Sequence, residues 1–173
     1  MPIGNWIIRF IGCILLILFQ VLVLNDLDAG LYIHPYVYPM FILMMPFKTP
    51  DWLLMIIAFA IGLTIDTFSN TPGMHAAASV LIAYVRPVFI KIYTPVTGYE
   101  NVTSPSINQL GFVWFLLFSL TLIFIHHFLY FLILIFWPHN LSDLLINILL
   151  STLVSTMLII ILAYLFSSRK AKA

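Results

Sequence analysis

Few residues in this chain could carry chemistry, and each sits among apolar neighbours. Asp66 lies near the end of an apolar run from Trp52 to Phe68. A carboxylate inside a membrane span costs about 2.5–3.5 kcal/mol at the centre and less towards an end. Its presence therefore asks for a use. Ala58, Gly62 and Asp66 are spaced four apart and share one helix face. The two small residues admit a neighbouring backbone. One reading makes this a packed face that presents the carboxylate to a partner helix or an outer cavity. The other makes Asp66 a helix-terminal group, wetted by lipid headgroups and capping the turn Ser69–Gly73. A second stripe, Asp143, Asn147, Ser151 and Ser155, repeats the same spacing on the last apolar segment. Such a stripe is expected to face protein rather than lipid.

The histidines point away from catalysis. His126 and His127 are neighbours, about 100° apart on a helix, and cannot easily chelate one metal. No Cys, Asp or Glu stands three or four residues from either, so both read as packed neutral imidazoles. His75 opens a helix after Gly73 and reads as structural. No Gly-x-Ser-x-Gly, His-Glu-x-x-His or phosphate-cradling glycine loop occurs. No catalytic, metal or cofactor residue is assigned, and no enzyme is expected. Cys13 is the single cysteine and reads as a helix residue, without any disulfide.

The elements that must hold these residues follow from composition. Of 173 residues, 63% are hydrophobic and 8% charged, against about 25% charged in a soluble domain. Seven Lys and Arg stand against six Asp and Glu, so no basic surplus serves nucleic acid. A soluble globular domain and a disordered tail are excluded. Non-alternating runs such as Leu158–Leu162 exclude a transmembrane barrel. An all-α, polytopic membrane bundle of six, or alternatively five, helices forming one domain remains.

The helices are predicted at 6–24, 36–47, 52–68, 74–93, 110–137 and 141–166, with a polar loop at 94–109 and a basic tail at 167–173. Pro87 is expected to kink or end the fourth. The second is the weak element: twelve residues rise about 18 Å as a helix, short of a hydrocarbon core of about 30 Å. It is either a span extended at Tyr36 or a re-entrant segment shielded by protein. With six spans, Arg9, Lys48, Arg86, Lys91, Arg169, Lys170 and Lys172 share one side, which the positive-inside rule makes cytoplasmic. Both termini are then cytoplasmic. Trp6, Trp52, Trp114 and Trp137 fall at helix ends, where indoles anchor. Asn101-Val102-Thr103 matches a glycosylation sequon but lies in the cytoplasmic loop. Asp66 and Arg86 fall near opposite faces, so an ion pair between them is not expected.

Gly62-Leu63-Thr64-Ile65-Asp66, followed by Pro72-Gly73-Met74-His75-Ala76, resembles the signature of the bacterial rod shape-determining MreD family. Chain length, helix count and Pro39 in the short second helix are also similar. The strong part of the match covers residues 62–76, and nothing after Glu100 is distinctive. The resemblance implies a fold like the six-helix substrate-binding subunits of energy-coupling-factor vitamin transporters. It implies a non-catalytic scaffold of cell-wall elongation in the bacterial cytoplasmic (inner) membrane, contributing to rod shape and the regulation of peptidoglycan synthesis. Its partners would be lipid and the bitopic MreC, alongside the actin-like MreB, the glycosyltransferase RodA and a transpeptidase. Gly62, Asp66, Gly73 and Ala76 match the family pattern and, with Ala58 and the Asp143–Ser155 stripe, form the expected packing or partner face. The competing expectation is a transporter's substrate-binding subunit, with Asp66, His75 and Asp143 converging on an outer cavity.

Overall fold

The computed structural model describes residues 3–27, 32–96, 98–100, 102–134 and 141–166, with side chains from Trp6 onward. Helix α1 (Ile3–Phe19) runs into a π-helical turn, Gln20–Leu24. Then come α2 (Pro39–Leu43), α3 (Asp51–Ser69), α4 (Met74–Ile92), α5 (Ile107–Leu110), α6 (Phe112–Leu134) and α7 (Leu141–Leu165). Among the described residues there is no strand. Five helices are long and apolar enough to cross a membrane, the first being Trp6–Leu24. Large apolar side chains such as Ile8, Phe59, Val88 and Leu153 are exposed, while Gln20, His75, Ser79, Arg86, His126 and Ser155 are buried. An apolar surface over a core that mixes apolar and polar side chains is compatible with a multi-pass membrane protein. The predicted tail 167–173, Trp137, the end of the helix predicted at 110–137 and Asn101 lie outside the described residues.

Helices α3 and α4 form an antiparallel hairpin, α4 packs on α6, and α6 packs on α7. Asn70, at φ 53°, ends α3, and Gly73, at φ 83°, opens α4. This end of the bundle, the Asn70 end, also holds Asn25, whose Nδ2 donates to Ser69 Oγ at 3.0 Å. At the opposite, Tyr93 end, Trp114 Nε1 donates to the Tyr93 carbonyl at 2.6 Å. Pro87 sits inside α4 without ending it, and the helix continues to Ile92. The loop predicted at 94–109 contains α5 and is pinned by the Tyr99 hydroxyl on the Ile90 carbonyl at 2.7 Å.

The segment predicted as a second helix over 36–47 is helical only from Pro39 to Leu43. Residues 33–37 have no regular structure. Three prolines explain this: Pro35, Pro39 and Pro46 each lack an N–H, and Pro39 is tolerated because it opens the short helix. The segment nevertheless traverses the bundle. The His34 N–H meets Ser151 Oγ on α7, and the Phe47 N–H meets the Thr103 carbonyl in the loop at the Tyr93 end. An extended backbone rises about 3.3 Å per residue against about 1.5 Å in a helix, so residues 33–37 reach further than a helix of the same length would. Unwinding supplies the length that a short helix lacks. The chain therefore carries a largely buried and mostly non-helical segment among five long helices.

The described basic residues Arg9, Lys48, Arg86 and Lys91 gather towards the Tyr93 end. Arg9 Nη1 donates to the Met44 carbonyl at 3.3 Å. Arg86, buried, donates to the Leu43 carbonyl from Nε and Nη2, each at 3.3 Å, and to the Met45 carbonyl. These bonds cap the C-terminus of α2, where carbonyls lack helical partners. In a Cys13→Ala background sealed in vesicles, single cysteines at Asn70 and Gly98 are expected to label from opposite faces with an impermeant maleimide. Labelling of both from one face would refute the arrangement.

Candidate functional site

Asp66 joins the two helices of the hairpin. It is 3% exposed. Its Oδ1 accepts from the His75 N–H at 3.0 Å and from Thr71 Oγ1 at 2.9 Å, and Oδ2 accepts from the Ala76 N–H at 2.9 Å. The carboxylate thus satisfies two of the unpaired N–H groups in the first turn of α4 and sits at the positive end of its dipole. Gly62 makes this approach possible. A Cβ there would meet Ala76 Cα at 2.5 Å and the His75 carbonyl at 2.6 Å. Asp66 combines parts of both readings: it is buried against a neighbouring helix, which belongs to its own chain, and through Thr71 it also caps the turn Ser69–Gly73. Ala58 and Ala76 are also buried.

The non-helical pass is held by side chains from both flanks. Gln20, fully buried in the π-turn, donates from Nε2 to the Pro35 carbonyl at 3.0 Å and accepts the Val37 N–H on Oε1 at 2.8 Å. Across the segment, Ser151 Oγ accepts the His34 N–H at 2.9 Å and Ser155 Oγ accepts the Tyr36 N–H at 2.8 Å. His127 Nε2 lies 3.3 Å from the His34 carbonyl. Residues 34 and 36 turn to α6 and α7, residues 35 and 37 to Gln20. This alternation is that of a β-strand, with side chains in place of neighbouring strands.

Below this point Tyr38 Oη lies 3.0 Å from His75 Nδ1, 2.6 Å from His126 Nε2 and 3.4 Å from Ser79 Oγ. One hydroxyl hydrogen serves one acceptor, so at least one imidazole carries its proton on the nitrogen facing Tyr38. His75 Nε2 and His126 Nδ1 are buried without a partner among the described residues. The Tyr36 ring packs on His75, His127 and Tyr130, with centroids 4.7, 5.3 and 5.1 Å apart.

The predicted face divides. Gly62, Asp66, Gly73 and Ala76 come together as the hairpin lock, and Ser151 and Ser155 hold the buried pass. Asp143 and Asn147 lie on the same side of α7, both half-buried. Asp66, His75 and Asp143 do not line the pocket at the Asn70 end. The open pocket at the Asn70 end, about 330 Å³, is instead lined by Asn25, Asp26, His34, Tyr36, Thr71 and Tyr130, among others. Gln20, Tyr36, Tyr38 and the histidine pair were not expected to act together. The available signal was a lone glutamine in an apolar run, about one turn from its end, followed by a proline-rich segment too short to span as a helix. No family model, curated protein or solved structure matches the chain.

Gly62→Val is expected to lower the unfolding midpoint in detergent by several degrees, through forced separation of α3 and α4. Gly12→Ala, with open space around its Cβ, serves as the neutral control. Gln20→Leu, which leaves a carbonyl and an N–H unpaired, is expected to cost about 2–4 kcal/mol. Ser155→Ala, which leaves one N–H unpaired, is expected to cost about 1–2 kcal/mol. Chemical unfolding of the two variants in micelles checks the order.

Proposed function

We propose that the chain is a non-catalytic scaffold of the bacterial cell-wall elongation machinery, related to the MreD family. It acts in the cytoplasmic membrane through helix contacts with a bitopic MreC-like partner. RodA-like glycosyltransferase, transpeptidase and MreB-like filament stand in the same assembly. The observation that supports this reading is the hairpin lock. The stretch that carries the resemblance, Gly62 to Ala76, is also a coherent physical unit, with Gly62 admitting α4 and Asp66 capping it. Its polar groups are turned inward to hold the fold. The basic Tyr93 end faces the cytoplasm in this reading, by the positive-inside rule.

A second reading, the substrate-binding subunit of an energy-coupling-factor-type transporter, is favoured by one feature, the pocket beside the unwound pass. Discontinuous segments near such pockets are where membrane transporters place their substrates.

Affinity purification from solubilised membranes separates the two. Recovery of a bitopic cell-wall partner and loss of rod shape on depletion are expected. Recovery of an ATPase module would overturn the scaffold in favour of the transporter.

A further inference from the structure

The pocket at the Asn70 end has a chemical bias of its own. Its volume, about 330 Å³, lies within the range of small-molecule sites. The π-turn and the unwound strand supply much of its wall, through Leu24, Ile33, His34, Pro35 and Tyr36. Departures from regular helix of this kind concentrate at binding sites.

Charge and hydrogen-bond polarity then select the ligand. Asp26, exposed at the rim, is a carboxylate of the wall, and among the described residues no Lys or Arg lines it. All described Lys and Arg gather towards the other end. Thr71 donates its hydroxyl hydrogen to Asp66, so towards the pocket its oxygen offers lone pairs alone. Tyr36 and Tyr130 meet edge to face at 5.1 Å and present aromatic surface at the floor. A carboxylate, an acceptor-only hydroxyl and electron-rich rings suit a compact cation with N–H donors. An anion would meet Asp26 with no basic partner.

We propose that this pocket binds a small organic ammonium group, either free or as the headgroup of a membrane lipid. The inference rests on the pocket and stands for either functional reading above.

The test uses the full chain, with 13C-labelled tyrosine, in nanodiscs of phosphatidylglycerol. Ethanolamine hydrochloride is titrated against the ring signals of Tyr36 and Tyr130, with sodium acetate as the control. A parallel arm adds phosphatidylethanolamine to the discs. Saturable shifts with free ethanolamine identify a free ligand. Signals already displaced in the phosphatidylethanolamine discs identify the headgroup. Both outcomes support the proposal. Asp26→Asn is expected to weaken the response about fivefold, the size of one exposed charge pair. Asp26 is exposed and remote from the core, and an unchanged Tyr38 signal verifies that the variant is folded. No saturable shift in either arm, an equal response to acetate, or an unaltered affinity in the folded Asp26→Asn variant would overturn it.

Discussion

A backbone that leaves the helix inside an apolar bundle must find a partner for each N–H and C=O it exposes, at a cost of several kcal/mol for each one left over. The rest of the structure is arranged around this constraint on residues 33–38. A helix satisfies itself and asks nothing of its neighbours. The unwound pass asks α1 for Gln20, α6 for His127 and α7 for Ser151 and Ser155. At its far end α2 asks for Arg86 and Arg9. The buried polar side chains of this chain are thus largely the complement of one irregular segment.

The same constraint explains why the hairpin lock is so tightly specified. His75 and Ser79, which meet Tyr38, sit in the first two turns of α4. Their height along the bundle is set where α4 begins, and that is fixed by the Gly62 contact and the Asp66 cap. A shift of one residue in the start of α4 would rotate His75 by about 100° away from Tyr38. The carboxylate therefore positions the imidazole through the backbone, from nine residues away in sequence. Thr71 extends the arrangement outward, since it touches both Asp66 and the pocket.

Long uninterrupted apolar runs bounded by polar turns made the long helices legible, because a stretch of about 20 apolar residues has few alternatives to a membrane helix. The spans read at 52–68, 74–93 and 141–166 fall within a residue or so of α3, α4 and α7. The stripe Ser151–Ser155 was also legible as protein-facing, because a lipid-facing serine gains nothing. The second pass was not legible as a structure. Its twelve residues were read against helical rise, and the prolines that argue for unwinding also fit a kinked or re-entrant helix. Nor could the sequence pair Gln20 with Pro35 and Val37. That match depends on where a π-turn rotates one side chain, and an i to i+5 bond such as that from Asn25 to Gln20 leaves no pattern in composition.

The π-turn, the strand and the pocket are best understood as one device. Gln20 opens the π-turn, and its carboxamide holds Pro35 and Val37 while its carbonyl accepts the Asn25 N–H that closes the turn. The segment held in this way brings His34, Pro35 and Tyr36 into the lining of the pocket together with Tyr130 and Thr71. A regular helix through the same space would fill the gap with its own side chains. Each departure from helix carries a cost, and each is matched by a side chain placed to offset it. What the chain gains from the arrangement is an open recess at the Asn70 end, lined by Asp26 and two tyrosines.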